Sequence, residues 1–300
     1  VLIAINKAEQ FSHSLFKKEQ DPMINTNEVL KKYGLRLTKT LGQNFLTDIN
    51  IIKKIVETGE VCSSDLVVEI GPGIGSMTAE IARKAGKVIA IEIDKNLIPA
   101  LKENLSDFSN VTIICDDIMK VDLESLTEGW AGPLKVISNL PYYITTPIVM
   151  MLLEGNVAWD TLVFMVQREV ALRMDGKPST KDYSALSIAV RYYSEPKLVF
   201  TVSKNCFIPK PDVDSAVVKL KKRILDNTPD IDKDYFFKVV KASFGQRRKT
   251  LLNSLGNQSF IPGGKNKLRE VLLKLGIKEN TRAEELTIYD FLNLSRELSK

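Results

Sequence analysis

The chain has 300 residues, 44% of them hydrophobic, with 42 Lys+Arg against 37 Asp+Glu. That is enough for one large globular domain and a small one, and no apolar run approaches the length of a membrane span. The single histidine, His13, and three widely spaced cysteines without a CxxC pair (Cys62, Cys115, Cys206) argue against a histidine triad or a metal centre; they fit free thiols in a reducing cytoplasm.

Charge is unevenly placed. Residues 195–300 hold 21 Lys+Arg against 13 Asp+Glu, a net of +8, and the remainder is mildly acidic. A basic C-terminal third suits a polyanionic partner gripped by one end of the molecule, or a solubilising surface.

Residues 1–22 open on a short apolar stretch, Val1 to Ile5, and continue polar and charged with no small-residue cleavage site. They read as a disordered extension or a remnant foreign to the native chain, not as a signal peptide. Thr26 to Leu37 has the pattern of a short amphipathic helix, and a loop follows from Thr40 to Asp48. Asp48 is placed to cap a helix over 49–58, where Ile51, Ile52, Ile55 and Val56 recur at helical spacing. Strands and helices then alternate: strands at Leu66–Ile70, Val88–Ile91, Val111–Cys115, Val136–Ser138 and Thr161–Val166, and helices at Met77–Ala85, Leu97–Leu105 and Ile148–Leu153. Short apolar strands separated by helices predict an α/β fold, a Rossmann-like parallel sheet with helices on both faces. Polar residues of interest fall just after strand ends, the edge at which such sheets bind ligands.

After Pro196 the texture changes. Lys197–Val202 and Val213–Leu220 read as two antiparallel edge strands joined through Phe207-Ile208-Pro209-Lys210-Pro211. A linker then leads to a helical region from Asp232, with Phe236, Phe237, Val240, Phe244, Leu251, Leu252, Leu268, Leu272, Leu275, Phe291 and Leu294 as its expected core. The expected division is 23–224 for the α/β domain and 225–300 for a small helical domain.

Gly71, Gly73 and Gly75 follow a strand and open a helix, where glycine lets the backbone approach a ligand that a Cβ would block. The spacing is GxGxG, with Ser76 where a dinucleotide fingerprint would carry its third glycine. Glu92, 21 residues beyond Gly71 at the end of the next strand, suits the two ribose hydroxyls of a bound nucleoside. Asp117, or its neighbour Asp116, is available to an adenine amine at the end of the third strand.

Asn139-Leu140-Pro141-Tyr142 separates methyl transfer from hydride transfer. The amine of adenine is a poor nucleophile because its lone pair is delocalised into the ring. Two acceptors, the Asn139 side-chain carbonyl and the Leu140 backbone carbonyl, would hold its hydrogens and turn the lone pair toward a methyl donor. Pro141 stiffens the loop and Tyr142 offers a face for the base. Phe207, in Phe-x-Pro-x-Pro, reads equally well as a cover for the base's other face or as a core aromatic. The basic runs Lys219–Arg223 and Gln246-Arg247-Arg248-Lys249-Thr250 suit RNA phosphates, with a solvated helix face as the alternative.

From about Thr26 onward the chain resembles the KsgA (RsmA) family of small-subunit ribosomal RNA adenine dimethyltransferases, relatives of the eukaryotic Dim-type enzymes. The resemblance rests on Leu41-Gly-Gln-Asn-Phe-Leu46, Glu69-Ile-Gly-Pro-Gly73, Ile91-Glu-Ile-Asp94, Asp117 with Ile-Met, Asn139-Leu-Pro-Tyr142, Phe207-Ile-Pro-Lys-Pro-Asp-Val213 with Ser215, and Gln246-Arg-Arg-Lys-Thr250. It implies S-adenosylmethionine as donor and conversion of two neighbouring adenosines near the 3′ end of 16S rRNA to N6,N6-dimethyladenosine, within a small ribosomal subunit. It also places Asn44 and Leu46 with Gly71, Gly73, Glu92, Asp117 and Asn139 at the cofactor; the basic clusters, not the resemblance, point to Arg223, Arg247, Arg248 and Lys249 as the RNA contacts. The enzyme is expected to act as a cytoplasmic monomer without metal. The nearest rival is the Erm type of large-subunit methyltransferase, which typically has Ile in place of Leu140 and lacks the Gln-Arg-Arg-Lys-Thr run. A non-catalytic assembly factor on the same fold is the other alternative.

Overall fold

The computed structural model describes residues 24–35, 42–223, 231–246 and 248–300. Residues 1–22, the end of the first expected helix, the linker after Arg223, and Arg247 lie outside the described residues. After a short helix α1 (Thr26–Lys32) come strand β1 (Phe45–Leu46) and helix α2 (Ile49–Thr58). Asp48 caps α2 as expected, its carboxylate accepting from the Asn50 and Ile51 amides. Then follow β2 (Leu66–Ile70), α3 (Ser76–Ala82), β3 (Lys87–Glu92), α4 (Ile98–Asn104), β4 (Val111–Cys115), α5 (Leu123–Thr127), β5 (Leu134–Asn139), α6 (Thr145–Glu154) and β6 (Trp159–Gln167).

Two helices beyond the sequence expectation come next, α7 (Arg168–Met174) and α8 (Ala185–Tyr193), before β7 (Ser194–Val202), the two-residue β8 (Phe207–Ile208) and β9 (Ser215–Lys222). The chain ends in α9 (Lys233–Phe244), α10 (Leu251–Leu255), α11 (Gly264–Lys274) and α12 (Ile288–Leu298).

The main sheet has the order β4-β3-β2-β5-β6-β9-β7, parallel from β4 to β6 and antiparallel beyond. The late strands are therefore antiparallel as read, but β9 lies between β6 and β7 and only β7 is an edge. The chain runs outward from β2 through β3 to β4, then returns to place β5 on the other side of β2. That reversal opens a crevice at the carboxyl ends of β2 and β5, where an open α/β sheet binds its ligand.

Alternation along β2 explains both buried faces. Leu66, Val68 and Ile70 join the core covered by α6 and α8, whereas Val67 joins the one formed with α2 and α3. A third core, in the helical region, buries Phe236, Val240, Leu251, Leu268, Leu272, Phe291 and Leu294, with Phe237, Phe244, Leu252 and Leu275 packed against it. It also takes in Tyr183 and Ile188, and the Tyr183 hydroxyl donates to the Leu286 carbonyl (2.8 Å). Helix α8 thus serves two cores, Leu186 and Val190 facing the sheet and Ile188 the helices. Packing crosses the expected boundary near 225.

Candidate active site

The crevice at the strand reversal is a cleft open to solvent, lined by the loops that follow β2, β3, β4 and β5 and by the segment 42–46. The loop after β2 forms its floor. Gly73 has φ +62°, and a Cβ there would lie 2.7 Å from Cε1 of Phe45, so both conformation and space require glycine. The Gly73 amide donates to Oε2 of Glu92 (3.0 Å), and the Asp94 amide donates to Oε1 (2.9 Å). These bonds fix the Glu92 carboxylate at the end of β3, while burial pushes its pKa above the usual carboxylate range.

A second acid lies beneath the loop. Glu69 lines the cleft from β2 and is fully buried, with Oε2 lacking any hydrogen-bond partner. Burial, reinforced by the Glu92 charge, raises its pKa from 4.5 to about 8. Asp117 lines the cleft beyond β4 and accepts from the Met119 amide (3.0 Å); Asp116 lines it too and accepts from the Asp117 amide (2.7 Å).

The loop after β5 forms the opposite wall. Nδ2 of Asn139 donates to the Asn44 carbonyl (3.0 Å), which commits the amide nitrogen and leaves the side-chain carbonyl as the acceptor offered to the cleft. The Leu140 amide donates to the Met165 carbonyl (3.1 Å), joining the loop to β6. The Pro141 carbonyl accepts from the Thr145 hydroxyl (2.9 Å) at the start of α6. Tyr142 is half-buried, and its hydroxyl is 2.7 Å from Oγ of the fully buried Ser215 at the start of β9. Burial raises the phenol pKa, so the ring is neutral at physiological pH.

Asn44, Leu46, Gly71, Gly73, Glu92, Asp117, Asn139, Leu140, Pro141 and Tyr142 are thus brought to one cleft. Phe207 is not. It pairs with Leu46 through the β1–β8 ladder, is 3% exposed, and packs with Ile52, Ile55 and Val217. Of its two sequence readings, the core aromatic is the one found here; the cover for the base is corrected. Arg223 donates to the Tyr289 hydroxyl (2.6 Å), and Arg248 and Lys249 are exposed on the turn between α9 and α10. These basic residues are remote in sequence from the cleft and outside its lining.

Gly42, Gln43, Ile93 and Ile118, which stood within the resemblance motifs without an assigned role, and Tyr143, which stood outside them, also line the cleft. Gln43 donates to Oδ2 of Asp94 (2.7 Å), tying the first loop to the end of β3. Ile93, adjoining Glu92, and Tyr143, adjoining Tyr142, carried a signal in their adjacency to motif residues.

The residues fit an S-adenosylmethionine-type cofactor: a glycine floor with no Cβ to block a ligand's approach, an oriented buried carboxylate for ribose, and an unpartnered carboxyl oxygen below the loop. A family model described as ribosomal RNA adenine dimethylase matches residues 34–300. The ribosomal RNA small subunit methyltransferase A of Clostridioides difficile (strain 630) is 50% identical over 272 residues, 90% of this chain and 93% of that protein. A dimethyladenosine transferase from Plasmodium falciparum has a crystal structure superposing with a TM-score of 0.70 at 27% identity, over 83% of this chain and 95% of that one. The 23S rRNA methyltransferase ErmE gives 0.64 at 26%, over 85% and 100%. With the family model spanning both the cleft and the helical region, the chain belongs to the ribosomal RNA adenine dimethylase family, whose cofactor is S-adenosylmethionine.

Proposed function

We propose that the chain dimethylates two adjacent adenosines near the 3′ end of 16S rRNA in the small ribosomal subunit, as a cytoplasmic monomer. Residues 23–224 carry the chemistry and 225–300, with Arg223, grip the RNA through Arg247, Arg248 and Lys249. The observation that carries this reading is the pinned Asn139 amide, whose bond to the Asn44 carbonyl aims a carbonyl acceptor into a cofactor-type cleft beside the tethered Tyr142 ring.

S-adenosylmethionine supplies an electrophilic methyl group. The chain's own residues supply position. Gly71, Gly73, Glu92, Asp117, Asn44 and Leu46 hold the cofactor. The Asn139 side-chain carbonyl and the Leu140 backbone carbonyl accept the two N6 hydrogens, favouring a pyramidal nitrogen with its lone pair directed along the transfer axis. Tyr142 stacks on the extruded base. Alignment and charge placement, not a strong base, give most of the rate, and the N6 proton leaves after attack, once the amine is cationic.

The relative at 50% identity, named for the small subunit, favours that RNA over the large-subunit substrate of ErmE. So do Leu140 and the run Gln246–Thr250. Mass spectrometry of nucleosides from treated small subunits is the test. N6,N6-dimethyladenosine at two neighbouring positions is expected; monomethyladenosine as the only product would overturn the proposal.

A further inference from the structure

Three aromatic residues line the cleft: Phe45 is buried, Tyr142 is half-buried against Ser215, and Tyr143 is 55% exposed. With Phe207 in the core, Tyr143 is the exposed ring at the mouth among the described residues. Its edge packs over Gly42, where a Cβ would lie 3.2 Å from Cδ1 of the ring. Among the described residues its hydroxyl has no hydrogen-bond partner.

Tyr143 also has apolar company. Six large hydrophobic residues are exposed among those described, and two of them, Ile93 and Tyr143, line the cleft. Two others, Met119 and Val213, stand close in sequence to Asp117 and Ser215 but outside the cleft lining. Exposed apolar side chains at the mouth of a cleft suit a contact surface.

We propose that Tyr143 is a stacking platform for the nucleotide beside the one held in the cleft. This rests on the proposed function. Extruding an adenosine leaves its neighbour with an unstacked face, which is unfavourable. An aromatic side chain offsets that cost without reading sequence, because every base has a π-face. The substrate is two adjacent adenosines, so whichever one is outside the cleft waits at its rim. Tyr142 and Tyr143, consecutive in one turn, take separate bases, the first ring holding the reacting one and the second its neighbour.

The test uses the full chain and small ribosomal subunits carrying 2-aminopurine in place of one of the two adenosines. Stacking on Tyr143 is expected to change the probe's fluorescence when the wild type binds. Tyr143→Ala should lose that change and raise the KM for the particle about tenfold, while Tyr143→Phe and Tyr143→Trp retain both. S-adenosylmethionine affinity is measured alongside by calorimetry. An unchanged probe signal and KM in Tyr143→Ala would overturn the proposal. So would cofactor affinity falling in step with the KM, because Tyr143 would then act through the Gly42 loop. Methyl transfer by the wild type to the remaining adenosine reports separately on the proposed function, so the two ideas fail independently.

Discussion

Gly73→Ala is the sharpest perturbation of the cofactor floor. Alanine at φ +62° costs about 1–2 kcal/mol in backbone strain. Its Cβ would lie 2.7 and 2.9 Å from two carbons of the Phe45 ring, distances that force a shift, and overpacking of this kind costs about 1–3 kcal/mol. The sum is roughly 2–5 kcal/mol. Phe45 is paired with Ile208, so its displacement carries Asn44, whose carbonyl receives the Asn139 amide. The same change disturbs the bond from the Gly73 amide to Glu92. S-adenosylmethionine affinity, measured by titration calorimetry, should therefore weaken at least about tenfold and the melting temperature should fall. Gly129→Ala is the control: its φ is +76° with nothing within 4 Å, so it should cost about 1–2 kcal/mol of stability and leave cofactor affinity unchanged. Equal cofactor affinity in Gly73→Ala and the wild type would show that the Gly73–Phe45 contact does not shape the floor.

Asn139→Ala should abolish methyl transfer while cofactor affinity stays within a few-fold; normal turnover in a single-turnover assay would remove Asn139 from the mechanism. Ser215→Ala removes the partner of the Tyr142 hydroxyl. At about 0.5–1.5 kcal/mol for one hydrogen bond, the particle KM should rise roughly two- to tenfold, with Ser215→Thr restoring it. Glu69 gives a pH signature. Its folded pKa of about 8 exceeds the ordinary 4.5, so the folded chain binds more protons than the unfolded one between those values, and stability falls as pH rises through that window. Relative to Glu69→Gln, the wild type should lose up to about 1.4 kcal/mol per pH unit between roughly pH 5 and 8 in denaturant titrations; parallel stability curves would show that Glu69 is not held uncharged.

Much of the fold is legible in the sequence because its strands are buried on both faces. Val88–Ile91 reads as an unbroken apolar run and Leu66–Ile70 as one interrupted only at Glu69, and their ends mark the ligand edge. Asp48 was legible because an N-cap is a local interaction. What stayed hidden depends on distant partners. The two-residue strands β1 and β8 exist through pairing 163 positions apart in Phe45↔Ile208 and 161 in Leu46↔Phe207, and that pairing buries Phe207. The place of β9 inside the sheet is a matter of strand order, which periodicity does not encode. Helix α8 is hard to read because it serves two cores, blurring the single apolar stripe of a surface helix. In the site, motif residues were legible by type and spacing, whereas Asn44, brought to Asn139 by folding alone, came only from family resemblance. Tyr143 was masked by the motif tyrosine before it.

Small-subunit dimethylation is tested most directly by the stoichiometry of tritiated methyl transfer from S-adenosylmethionine to small ribosomal subunits lacking the dimethyladenosines, with naked large-subunit RNA in parallel. Incorporation approaching four methyl groups per small subunit, with little on the other RNA, is expected. Label on large-subunit RNA alone, or RNA binding with no label on either substrate, would contradict it.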